Sequence, residues 1–122
     1  MNEYKHSEIT EQIIAAAYAV HKQLGYGFME KVYKNALLIE LENLPFECKA
    51  EVPMQVFYQN RLVGEFFADI IVEDKVVVET KAVSKIDPIH EVQLVNYLKA
   101  SSIEVGLLIN FGKSVEVKRK IF

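Results

Sequence analysis

Two carboxylates and a lysine stand within thirteen residues of one another where apolar side chains are expected. Asp69 interrupts Phe66-Phe67-Ala68-Asp69-Ile70-Ile71-Val72, and Glu79 and Lys81 interrupt Val76-Val77-Val78-Glu79-Thr80-Lys81-Ala82-Val83. Both runs are β-branched and aromatic enough to be strands buried on at least one face. Strand side chains alternate, so Glu79 and Lys81 share a face with Val77. An ionised group in a core costs several kcal/mol unless it is paired, hydrated or metal-bound. Asp, nine residues, then Glu-x-Lys suits metal-assisted phosphodiester cleavage. The competing reading is a buried Glu79–Lys81 ion pair, with Asp69 solvated at a sheet margin.

The turn between the two runs decides whether the carboxylates meet. If Val72 pairs with Val76 across Glu73-Asp74-Lys75, Asp69 lies opposite Glu79 on one face. A two-residue loop would put them on opposite faces. The constellation therefore predicts an odd loop or a β-bulge here, although no glycine marks the turn. Opposed carboxylates repel, and a divalent cation is the usual remedy. Mg²⁺ favours a near-octahedral shell of carboxylates, waters and phosphate oxygens. Asp69 and Glu79 are the expected ligands, with the Thr80 carbonyl in reach. Lys81 is placed to orient the attacking water and to stabilise charge developing on phosphorus. Glu30 can bind the ion or its water from a neighbouring helix, and Gln93 can position the water or a phosphate.

The elements that must hold these groups follow from periodicity. Ile9, Ile13, Ala16, Val20 and Leu24 recur at helical spacing. Ser7 is the expected cap of this helix and Gly25 its stop. A second helix is predicted from about Met29 to Asn43. Tyr33, Leu37, Leu41 and Leu44 form its inward stripe, with Glu30 at the stripe's N-terminal end, and Leu44-Pro45 ends it. Residues 52–58, 61–72 and 76–83 read as an antiparallel meander, with a turn at Gln59-Asn60. Asp87-Pro88 opens a third helix carrying His90, Gln93, Leu94, Tyr97 and Leu98. Val105 to Ile109 reads as a central strand, parallel to the one holding Glu79 through a right-handed crossover. The last strand, about residues 114–121, carries Lys118-Arg119-Lys120 and is expected at an edge. Tyr33 reads as core before catalysis, and His21 and His90 as structural or solvent-facing. The fold class is α/β (α+β), in the order ααβββαββ, as one domain over residues 1–122.

Bulk properties limit the alternatives. The chain has 122 residues, half of them hydrophobic and a quarter charged, as in ordinary globular domains. No apolar run approaches the ~20 residues that span a bilayer, and the first residues lack signal-peptide character, so no membrane partner and a cytoplasmic location are expected. One cysteine and three histidines make neither an intrachain disulfide nor a Cys/His zinc site. The formal charge of −3 runs against the basic surface usual for nucleic-acid binding. The ion and local clustering of basic residues offset it. So small a chain builds no obvious nucleic-acid groove alone, which points to a homodimer or a partner protein.

The residues also resemble a known family. Gly27-Phe28-Met29-Glu30-Lys31-Val32-Tyr33 matches the Gly-x-x-Glu-x-x-Tyr signature of the GxxExxY proteins. Residues 67–69, Glu79-Thr80-Lys81, the segment from Pro88 to Leu98 and Gly106 to Gly112 look like the rest of that family. It is placed in the PD-(D/E)xK nuclease superfamily, with Ala68 here where the superfamily's name has proline. The resemblance implies a restriction-endonuclease-like core, a mixed four-stranded sheet flanked by helices. It implies Asp69, Glu79 and Lys81 as core catalytic residues and Glu30 as the acidic residue of the first core helix. Gln93 and Tyr97 resemble the Gln-x-x-x-Tyr helix motif of exonuclease-like branches. The implied activity is hydrolysis of nucleic-acid phosphodiesters, of DNA before RNA, with Mg²⁺ or Mn²⁺. The alternative is a non-catalytic nucleic-acid-binding or regulatory module that retains the fold.

Overall fold

The computed structural model describes residues 5–122. Helices α1 (Ser7–Leu24) and α2 (Glu30–Glu42) precede strands β1 (Cys48–Tyr58), β2 (Arg61–Val72) and β3 (Val76–Lys81). Helix α3 (Pro88–Ser101), β4 (Val105–Phe111) and β5 (Val115–Ile121) complete the order expected from the sequence. The five strands form one mixed sheet in the order β1-β2-β3-β4-β5, one more than the four-stranded core that the resemblance implies. β3 and β4 are parallel and joined through α3; the other neighbours are antiparallel. β5 lies at an edge.

Helices α1 and α2 cover one face. Ile9, Ile13, Ala17 and Val20 of α1 and Leu37 and Leu41 of α2 pack there against Ile70, Val72, Val76, Val78, Leu107 and Ile109. Helix α3 covers the other face, where Leu94 and Leu98 meet Met54, Ala68, Ile71, Val77 and Leu108. β4 is buried along its whole length because helices lie on both its sides. Gly106 is what lets α3 approach so closely. A Cβ there would stand 2.8 Å from Leu94 Cδ1 and 3.1 Å from Leu98 Cδ2.

Local chemistry sets most boundaries. Asp87 caps α3, accepting from the Ile89 N–H at 3.0 Å, and its own N–H donates to His90 Nδ1 at 3.2 Å. Gly25 ends α1 at φ 73°. Ser7 is not the cap of α1. That position belongs to His6, at φ 57° and with no side-chain bond, and Ser7 is the first helical residue. β1 starts four residues before the expected Val52, because Cys48, Lys49 and Ala50 continue the pairing with β2. β3 ends at Lys81, before the expected Val83, because Val83 gives its backbone groups to Asn110 instead of to a ladder.

The loop between β2 and β3 has the three residues that the constellation requires, since Val72 pairs with Val76. Glu73 and Asp74 take φ values of 54° and 53°, and the Lys75 N–H donates to the Val72 carbonyl at 2.9 Å. This is a type I′ turn with one residue added, built without glycine. Tertiary bonds offset the left-handed backbone. The Glu73 N–H donates to the Glu47 carbonyl, the Glu73 carboxylate accepts from the Glu47 N–H, and Lys49 pairs with Asp74.

Candidate active site

The site forms where regular pairing breaks. β1 pairs with β2 at Ala50–Ile70 and again at Val52–Ala68, leaving Glu51 and Asp69 outside the ladder. Glu51 sits at φ 53°. The β2–β3 ladder stops at Ile70–Val78, one position short of Asp69 and Glu79. Side-chain alternation also reverses here. Phe66 and Ala68 pack on the α3 side, whereas Ile70 and Val72, at the same spacing of two, pack under α1 and α2.

Carboxylates take the place of the missing backbone bonds. The Asp69 N–H donates to Glu79 Oε2 at 2.8 Å. Asp69 Oδ2 accepts from the Thr80 N–H at 2.9 Å and from the Thr80 hydroxyl at 3.1 Å. Each acid is thus tied to the other's strand, and one oxygen of each makes no hydrogen bond within the described residues. Glu79 is buried, Thr80 fully so, and Asp69 and Lys81 are half-buried. Burial first, and then the Asp69 charge, push Glu79 up to about 8. The bond from the Asp69 N–H and the Lys81 charge oppose that rise. Lys81 forms no ion pair among the described residues, so the competing reading of a Glu79–Lys81 salt bridge does not describe this arrangement.

Glu30 is the first residue of α2 and is largely exposed. Partial enclosure of its carboxyl and the Asp69 charge hold it above the usual carboxylate range, while Lys81, Lys34 and His90 pull it down. Lys34, one turn later, pairs with Glu51 beside the ladder break. Tyr97 reaches the same region from α3. Burial, then the Glu79 and Asp69 charges, push its hydroxyl above the usual phenol range, and its ring stacks on Phe66 with centroids 4.2 Å apart. Gln93, one turn before Tyr97, is exposed, and no hydrogen bond joins it to the carboxylates. No three Asp, Glu, His or Cys side chains among the described residues converge tightly enough to hold a metal ion as they stand.

Tyr33 is placed elsewhere. It is fully buried, stacks on Phe111 at 4.8 Å, donates to the Gly25 carbonyl at 2.7 Å and accepts from the Phe28 N–H at 3.3 Å. Its hydroxyl ties down the loop in which Gly27 adopts φ 107°, and that loop delivers Glu30 to the start of α2. The Gly-x-x-Glu-x-x-Tyr spacing thus has a structural basis: a turn, an acid at a helix start, and an anchor one turn on. His21 is likewise structural, 2.8 Å from the Gly112 carbonyl through Nε2, and His90 closes the α3 cap.

Asn110 is the residue the sequence reading passed over. Fully buried, it accepts from the Val83 N–H and donates to the Val83 carbonyl, both at 2.9 Å, and donates to Glu116 at 3.0 Å. It holds the chain directly after Lys81. An amide within the apolar run Leu107-Leu108-Ile109-Asn110-Phe111 was the available signal, since a buried amide requires partners.

The model of one protein family matches residues 7–120, almost all of the chain. The chain belongs to the PD-(D/E)XK nuclease superfamily. Among solved structures, this PD-(D/E)XK protein is similar to the crystal structure of SSO0001, with 21% identity and a TM-score of 0.61. The similarity covers 94% of this chain and 59% of that one, so the chain spans about three-fifths of that protein's length. At that identity the likeness concerns the fold alone, and it agrees with a mixed sheet carrying helices on both faces. No protein of curated function matches the sequence.

Proposed function

We propose that the protein is a Mg²⁺- or Mn²⁺-dependent nuclease that hydrolyses phosphodiester bonds in nucleic acid, DNA before RNA, and that it stands in the GxxExxY branch of its superfamily. Membership of the superfamily supports a nuclease and a nucleic-acid substrate. The observation that carries the reading is the crossed pair Asp69 and Glu79. Two acids bonded into each other's strands, one of them pushed up to about 8 by burial and by the other's charge, form a site in which a bound cation would favour ionisation of both.

The donor set fits a hard divalent ion. Asp69 and Glu79 each keep one oxygen without a hydrogen bond among the described residues, and strand geometry turns the Thr80 carbonyl the same way as the N–H it gives to Asp69. These three groups would hold the ion, with Glu30 bound to it or to its water. Among the described residues no three carboxylates converge on one point, so Glu30 would join through water or through a shift of its side chain. When bound, such an ion lowers the pKa of water and stabilises charge on a phosphoryl group. Lys81, in no ion pair among the described residues, orients the attacking water and faces the negative charge that grows on phosphorus. Gln93 and Tyr97 position water or phosphate from α3. The acidic chain offers little general attraction for phosphate, so the site must hold its substrate by local contacts.

That lack of convergence among the described residues also favours a second reading, a nucleic-acid-binding or regulatory module without turnover. One assay separates the two. Single- and double-stranded DNA and RNA are incubated with the wild-type protein, Asp69→Ala and Lys81→Ala, with and without Mn²⁺. Cleavage by the wild type that requires the metal and is lost in both variants supports the nuclease. Binding without cleavage of any substrate supports the module.

A further inference from the structure

A cavity of about 580 Å³ opens between the β1–β2 arm and α3, three residues along β2 from Asp69 at its Phe66 wall. Its walls are Gln55, Val56 and Phe57 of β1, Phe66 of β2, and Asn96, Tyr97 and Lys99 of α3. The volume falls within the ~300–1,000 Å³ usual for small-ligand sites. Phe66 and Tyr97 form one wall as a stacked pair, with rings inclined by 16°. Phe57 lines the cavity with its side chain more than half exposed. The amides of Gln55 and Asn96 are exposed, and neither side chain makes a hydrogen bond among the described residues.

This chemistry matches a flat, amphipathic ligand. Aromatic faces stack on a π-system, and free side-chain amides offer donors and acceptors to its edge. Tyr97 belongs at once to the cavity wall and to the surroundings of Glu79 and Asp69. A group stacked here shares the Tyr97 side chain with the carboxylate site. Building on the nuclease reading, we infer that the cavity is a subsite for an unpaired nucleobase, so that the substrate is a strand with at least one unpaired nucleotide next to the bond cut. A base inside a duplex is stacked on both faces and would have to be flipped out, at a cost of a few kcal/mol, before it could enter. The net charge of −3 gives this subsite its purpose, since stacking supplies affinity that phosphate attraction does not.

The test uses the full chain and two single-stranded probes of equal length, an oligothymidylate and an abasic oligomer with the same phosphodiester backbone. Binding is followed by fluorescence anisotropy in chelator, and cleavage separately in Mn²⁺. Stacking of one base contributes about 1–3 kcal/mol, so the thymidylate is expected to bind roughly 5- to 150-fold more tightly than the abasic oligomer. Phe57→Ala and the pair Gln55→Ala with Asn96→Ala alter exposed side chains and should leave folding intact. They should reduce that preference at least threefold while leaving abasic binding unchanged. Equal binding of the two probes, or equal losses on both in the variants, overturns the subsite. If Mn²⁺-dependent cleavage persists in that case, the nuclease reading stands without it. Absence of both binding and cleavage removes both. A dimer that Phe57→Ala dissociates, with no change in the probe preference, would assign the cavity to a second copy of the chain and overturn the inference.

Discussion

Replacing Glu79 with glutamine should stabilise the metal-free protein at neutral and alkaline pH. Glu79 is raised from an ordinary 4.5 to about 8, first by burial and then by the Asp69 charge. A raised folded-state pKa means that the folded protein holds this proton more tightly than the unfolded chain. The stability it contributes is fully present below about pH 4.5 and is lost as pH rises through about 8. At about 1.4 kcal/mol per pH unit, the full window is on the order of 5 kcal/mol, of which about 3 is already lost at pH 7. Glutamine cannot ionise, and its amide oxygen can still accept from the Asp69 N–H, so the variant should lack this slope. Urea denaturation in chelator at about pH 5, pH 7 and pH 8.5 measures it. The two proteins should be similar at the lowest pH and diverge by several kcal/mol at the highest, with Glu79→Gln the more stable. Parallel profiles would refute the reasoning, because Glu79 would then ionise alike in the folded and unfolded chains.

Three further outcomes are expected. Mg²⁺ or Mn²⁺ should raise the Tm of the wild type by ligand linkage and release close to one proton near pH 7, as Glu79 ionises. Calorimetry in buffers of different ionisation enthalpy reads the proton, and Asp69→Asn should abolish both responses. Lys81→Ala should lower single-turnover cleavage by ~10²-fold or more with Mn²⁺ affinity unchanged or higher, and Lys81→Arg should not fully restore it. Full activity in a folded Lys81→Ala protein removes the lysine from the chemistry. Tyr33→Phe keeps the Phe111 stack but strips the Gly25 carbonyl and Phe28 N–H of their partner, and should cost about 1–2 kcal/mol in a thermal or urea melt. A loss of cleavage in Tyr33→Phe without any loss of stability would show that Tyr33 does more than anchor the loop.

Local signals carried the element order, the α3 cap at Asp87, the stop at Gly25 and the central position of β4, because each depends on residues a few positions apart. The three-residue turn was legible too, since only an odd loop lets Asp69 and Glu79 meet. Its left-handed Glu73 and Asp74 were not, as the bonds that hold them come from Glu47, just before β1, and Lys49 on β1. Simple alternation placed Glu79 and Lys81 with Val77, but it fails along β2, where the packing face reverses around Asp69. The sequence alone named the acids; tertiary pairing decided that they replace ladder bonds rather than simply face one another. The stack of Phe66 on Tyr97 and the grip of Asn110 on Val83 likewise join residues 27 or more positions apart. Residue type and periodicity can nominate a side chain for chemistry. Its partners, burial and charge are set by strands that meet only when the sheet closes.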